Sequence, residues 1–124
     1  MIEGMMRVAA VVPEVAIANP MANAENIISM WPALTARGVR LAVFPELCVT
    51  GYTCADLFHQ QSLLAVSDAA VERIAQATNG LDMAVIVGAP VKCGDALLNC
   101  GILIADGRVV MSVPKSYLPN YNEF

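Results

Sequence analysis

The chain has 124 residues, a net charge of −4 and a pI near 4.7. Its basic residues are scattered, which argues against a nucleic-acid or acidic-lipid surface. It is 57% hydrophobic and only 15% charged, yet no apolar run approaches the roughly 18 residues of a spanning helix, so the excess implies a sheet buried on both faces, or a piece lacking its more polar remainder.

Residues 1–7 show no basic region followed by an apolar core, so no secretory signal is expected. Arg7 to Val12 is apolar and β-branched and predicts a first strand ended by Pro13. Asn19-Pro20 then offers a helix N-cap with proline at the first helical position. Met21, Ala24, Ile27, Ile28, Trp31 and Leu34 follow at helical spacing, so Trp31 is expected in the core. Pro32 should kink or divide this helix, and Gly38 should close it.

Arg40 to Phe44 predicts the second strand, ended by Pro45, and residues 50–53 a loop. Ala55 to Leu64 reads as a short helix or irregular chain, and Ser67 as the cap of a clearer helix with Ala70, Val71, Ile74 and Ala75 on its inner face. Met83 to Val87 is a continuous apolar run, as a central strand would be. A turn at residues 92–95 leads to a strand from Leu97 to Ala105. Asp106-Gly107 is a strong hairpin signal, and Arg108 to Val113 is the return strand, ended by Pro114. The order predicts an α/β fold with a mixed sheet.

The four cysteines, Cys48, Cys54, Cys93 and Cys100, contain no C-x-x-C spacing. They are expected to be reduced, packed thiols of a cytosolic protein, with Cys48 and Cys100 in strand-like runs. No glycine-rich loop follows the first strand, which disfavours a dinucleotide-binding module. His59 reads as a surface or helix-end residue.

Two segments match in design. Val43-Phe44-Pro45-Glu46 and Ser112-Val113-Pro114-Lys115 each place an ionisable residue just past an apolar strand and a proline. Helical crossovers keep strands parallel, and two hairpins reverse direction twice. The strands ending at Phe44, Val87 and Val113 should therefore point the same way, with Glu46, Pro90 and Lys115 along one sheet edge. Ligands bind at the carboxyl ends of strands in open α/β sheets. Glu46 and Lys115 there are either an acid/base pair or an ordinary rim ion pair.

Phe44-Pro45-Glu46-Leu47-Cys48-Val49-Thr50-Gly51-Tyr52 resembles the glutamate motif of the nitrilase (carbon-nitrogen hydrolase) superfamily, and Pro114 to Phe124 resembles its lysine motif. Ala55-Asp56-Leu57-Phe58 and Leu118-Pro119-Asn120-Tyr121-Asn122-Glu123-Phe124 are similar to the glutaminase domain of glutamine-dependent NAD synthetases. The resemblance implies a four-layer α-β-β-α sandwich, of which residues 1–124 would be the N-terminal portion within a single domain. It implies a Glu-Lys-Cys triad hydrolysing the side-chain amide of glutamine, with Glu46 as general base and Lys115 as oxyanion stabiliser. Glu123 matches a second, supporting glutamate, although that residue often stands two places after the phenylalanine. Tyr52 and Tyr121 match positions lining the glutamine pocket. Asn122 stands where glycine or arginine often does.

The resemblance places the nucleophilic cysteine in a third motif beyond the lysine motif, and the sequence ends at Phe124 before it. Cys48 has no such role in the family, so the 124 residues alone are expected to be inactive. Half of the sandwich would also leave a sheet face uncovered. No metal is implied for hydrolysis. The resemblance further implies ammonia delivery to a C-terminal synthetase domain using ATP and Mg to amidate deamido-NAD, a homo-oligomer and a cytoplasmic location. The alternatives are a stand-alone amidase or carbamoyl hydrolase, or a non-catalytic fragment.

Overall fold

A computed structural model describes residues 4–16, 19–46, 48–50, 61–94 and 96–115, with the side chains of 61 and 62 excepted. The elements in order are β1 (Val8–Ala10), α1 (Pro20–Ile28), α2 (Trp31–Ala36), β2 (Leu41–Val43), α3 (Gln61–Ala77), β3 (Ala84–Cys93), β4 (Ala96–Ala105) and β5 (Arg108–Pro114). The strands form one five-stranded sheet in sequence order. β1, β2 and β3 are parallel, and β4 and β5 pair antiparallel. β5 thus returns to the direction of β1, as counting reversals predicts.

The helix signals act where the sequence puts them. Asn19 Oδ1 accepts from Ala22 N at 3.3 Å with Pro20 as the first residue of α1. Pro32 lies at the start of α2, so the expected helix is divided in two. Gly38, at φ +75°, closes α2: Gly38 N donates to Thr35 O, and Val39 N to Leu34 O. These are the two bonds of a Schellman cap. Asp106 and Gly107 have φ of 55° and 84°, the paired positive values of a type I′ hairpin turn.

α1 and α3 pack on one face of the sheet. Ala24, Ile27, Ala70, Ile74 and Ala75 meet Ala42, Val85, Val87, Ile102 and Ile104 in a continuous core. Trp31 is buried there, edge-on to Phe44 at 6.2 Å, and its indole N–H donates to Ala77 O. Arg73 of α3 ties down α1 through two bonds to Glu25, of 3.0 and 3.3 Å. The opposite face is open. Ala10, Val43, Ile86, Leu103 and Met111 align in register across all five strands on it. Val43 and Met111 are exposed, and no described element covers them.

Three expectations need correction. α3 starts at Gln61, so Ser67 is a buried mid-helix residue and not a cap. Its apolar face extends through Leu63 and Leu64, which extends the helix N-terminally. β3 runs to Cys93, well past Val87, so Pro90 lies inside a strand opposite Asn99 and not at the sheet edge. Ile86 and Gly88 both offer their carbonyls toward the β2 side, so the Pro90 nitrogen also faces that side, beyond the end of β2, where no ladder bond is lost. Cys48 lies in a turn after Pro45, not in a strand.

Candidate active site

Glu46 sits on a turn that follows β2 and is pinned on both flanks. Phe44 N donates to Ile86 O, Cys48 N to Pro45 O, and Val49 N to Gly88 O. Asn23 of α1 reaches across, its side-chain N–H donating to Val49 O at 2.7 Å and to Ala16 O at 2.8 Å. Its carbonyl accepts from Ala16 N at 2.6 Å. The turn therefore hangs on β3 and α1 together.

Lys115 follows directly on β5. Its backbone N donates to Asn99 O at 2.8 Å, so it continues the ladder opposite Asn99. The direction of its side chain depends on a bulge. Ile104 pairs with Val109 but Leu103 with Met111, which leaves Val110 as an extra residue. One inserted residue exchanges the two faces for everything beyond it. Lys115 is thereby turned onto the open face, with Val113 and Met111.

There its ammonium meets Glu46. Lys115 Nζ lies 3.0 Å from Glu46 Oε1, joining residues 69 positions apart. β2 and β5 are separated by two intervening strands, which amounts to about 14 Å at ordinary strand spacing. On those two strands Gly88 and Gly101 stand opposite each other on the same face. Without side chains there, the pair bridges over a hollow of about 330 Å³, lined among others by Glu46, Gly88, Asn99, Gly101 and Lys115. The two charged side chains are 39% and 34% exposed, so the pair sits at an open rim.

Cys48 is close in sequence to Glu46 but chemically quiet. It is buried, its sulfur accepting from Gly88 N at 3.5 Å and donating to Gly88 O at 3.9 Å. Burial pushes its thiol up to about 11, away from the thiolate a nucleophile needs. Cys93 and Cys100 are also free thiols, and burial raises Cys100 as well. Cys54, His59, Tyr52, Tyr121 and Glu123 lie outside the described residues. Among the described residues no group of three His, Cys, Asp or Glu could hold a metal, and no helix is long and apolar enough to cross a membrane.

Residues 7–123 match the family model of the carbon-nitrogen hydrolases. The chain belongs to the carbon-nitrogen hydrolase family. Within that family it is similar to the glutamine-dependent NAD(+) synthetase of Mycobacterium tuberculosis, at 41% identity over 98% of this chain and 18% of that protein. The chain thus spans about a fifth of the length of such relatives. Its fold is that of the crystal structure of a glutamine-dependent NAD(+) synthetase from Cytophaga hutchinsonii. The TM-score is 0.84 with 26% identity, over 93% of this chain and 20% of that one. An amidase from Nesterenkonia shares the fold alone, with a TM-score of 0.76 at 20% identity over 95% of this chain and 45% of that one. The mixed sheet with helices on one face is therefore the carbon-nitrogen hydrolase architecture, as the two motifs predict.

The motifs lead to Glu46 and Lys115, and the structure brings these two together. Asn23, Gly88, Asn99 and Gly101 were not singled out by sequence reasoning. A proline-terminated strand followed by an ionisable residue is a visible signal. A glycine pair or an asparagine inside a strand has meaning only once the register is known.

Proposed function

We propose that this chain is the N-terminal portion of a glutamine amide hydrolase domain, contributing the general base and the oxyanion-stabilising cation. The observation that carries this reading is the 3.0 Å Glu46–Lys115 pair across the glycine floor. The domain would release ammonia for the ATP-dependent amidation of deamido-NAD.

In this scheme a cysteine from the remainder of the domain attacks the carboxamide carbon. Glu46 takes the thiol proton and passes it to the departing ammonia, leaving a thioester that water cleaves with Glu46 again as base. Lys115 holds the carbonyl oxygen as it gains charge, and a compact ammonium suits that task. A pinned turn keeps the carboxylate in place at no cost at the moment of reaction. Glu123 would support the pair, and Tyr52 and Tyr121 would shape the glutamine pocket. Hydrolysis by this set needs no metal. ATP and Mg would act in a C-terminal synthetase domain, in a cytoplasmic homo-oligomer.

The test joins this chain to the residues that follow the matching segment in the Mycobacterium tuberculosis relative and measures ammonia release from glutamine. The graft is expected to be active, and Glu46→Gln and Lys115→Met are expected to lose on the order of a hundredfold or more in kcat. Full activity in both variants would remove the reading. Retained amidase activity without coupling to deamido-NAD would favour a stand-alone amidase.

A further inference from the structure

Asn99 is only 5% exposed, and its side-chain Nδ2 has no hydrogen-bond partner among the described residues. Buried polar groups are nearly always paired, so such a donor calls for a reason. The fold does not supply one. The structural bond at this position, Lys115 N to Asn99 O, uses only backbone, which any residue would provide. On the same face the next residues along β4 are Gly101 and Leu103, and an apolar side chain of similar size would avoid an orphaned donor.

What Asn99 does have is a place in the hollow. It lines the same space as Glu46 and Lys115. It stands opposite Lys115 on the neighbouring strand, with Cα atoms about 5.5 Å apart as in hydrogen-bonded antiparallel pairs. The hollow is therefore lined by groups of complementary chemistry. Lys115 offers its ammonium and Asn99 its unpaired Nδ2 as N–H donors, and Glu46 offers carboxylate acceptors. A primary carboxamide carries the complementary pair, an acceptor oxygen and a donor NH2 group.

We propose that Asn99 is a further substrate contact of this site, its free side-chain N–H donating to the carbonyl oxygen of a bound primary carboxamide beside Lys115. The inference rests on the amide-hydrolysis reading and adds a residue to it. The N–H unpaired in the empty hollow is paired when substrate enters. The bond should strengthen as the carbonyl oxygen gains charge, so Asn99 contributes to turnover as well as to binding. An unpaired donor in the empty site also disfavours ligands that lack an acceptor at this point.

The experiment compares Asn99→Ala and Asn99→Leu in the grafted enzyme, with Glu46→Gln alongside. Both Asn99 variants are expected to lower kcat/KM for glutamine on the order of a hundredfold, as loss of one oxyanion donor does. Asn99→Leu is expected to melt at or above the temperature of the parent, because it removes a buried unpaired donor. Asn99 variants within twofold of the parent, while Glu46→Gln is dead, would overturn the Asn99 role and leave the amide-hydrolysis reading standing. An active Glu46→Gln would remove that reading itself. A melting temperature for Asn99→Leu several degrees below the parent would assign the carboxamide to the fold and overturn the proposal, whatever the activity.

Discussion

Asn23 on α1 and Val49 beyond β2, 26 residues apart, are joined by a 2.7 Å bond from the Asn23 side-chain N–H to the Val49 carbonyl. Asn23 is 1% exposed, and it also binds both the N–H and the carbonyl of Ala16. One side chain thus fixes the entry to α1 and the exit from the Glu46 turn. Asn23→Ala should cost about 2–3 kcal/mol, because it leaves the buried Val49 carbonyl without this donor. Equilibrium urea denaturation of the grafted enzyme measures this. In the folded fraction kcat should fall as well, since the Glu46 turn loses one of its anchors.

Gly101 tests the glycine floor separately from the charged pair. A Cβ built there would meet only Ile86 Cγ2, at 3.9 Å, an ordinary contact. The fold should therefore accept Gly101→Ala, with stability unchanged or raised by about 0.5–1 kcal/mol from the reduced freedom of the unfolded chain. The added methyl would lie on the open face beneath the Glu46–Lys115 bridge. Rates on glutamine should fall more than rates on a smaller primary amide such as propionamide. Equal rates on both would show that the floor has no part in substrate fit.

The register of β5 decides whether Lys115 and Glu46 meet. Val110 is the extra residue of the bulge, so deleting it would leave Met111 opposite Leu103 and Lys115 opposite Asn99, and the deletion is expected to keep activity. Inserting one alanine between Pro114 and Lys115 would instead put the lysine opposite Leu98, on the covered side and away from Glu46. The insertion is expected to remove activity while leaving a folded sheet, with near-native far-UV circular dichroism as the control.

The bulge also shows where the sequence stops being legible. Strand order, directions and the I′ turn follow from Pro45, Asp106-Gly107 and the crossover helices, because those signals are local. They bring Glu46 and Lys115 to one sheet edge. Counting residues back from the hairpin turn, however, would place Lys115 opposite Leu98 and on the wrong face. The bulge that corrects it has no local mark in a run of Val109, Val110 and Met111. The same limit applies to Pro90. A proline reads as the end of a strand unless the neighbouring strand is known to have stopped first. Asn99 and Gly88 acquire their roles only through that register.

Cys48 gives a pH dependence with a definite sign. Its thiol is raised from the ordinary 9.0 to about 11 by burial. The folded state holds the proton more tightly than the unfolded state between those values. The contribution to stability is therefore fully present below pH 9 and is lost as pH rises through 11. Two pH units correspond to about 2–3 kcal/mol. Thermal unfolding followed from pH 8 to 11 should show a slope that Cys48→Ala reduces. Iodoacetamide at pH 8 should label the exposed Cys93 well before Cys48, as read by mass spectrometry.

The open face predicts the behaviour of the isolated chain. Val43, Met111 and Val113 are exposed at 39%, 51% and 54% on one side of the sheet, continuous with Ile86 and Leu103. Soluble monomers rarely expose a contiguous apolar patch of that kind. The 124 residues by themselves should self-associate at micromolar concentration, in a way that weakens on cooling as hydrophobic burial does. Met111→Lys with Val113→Lys should shift the chain toward monomer in analytical ultracentrifugation, because two like charges on adjacent residues of that face oppose its burial. In the grafted enzyme the same pair should instead destabilise, since the face would then be covered and the charges desolvated. Opposite signs in the two proteins would mark this surface as an interior one. A monomeric parent chain, with no effect of the lysines in the graft, would mean that the face is solvent-exposed by design.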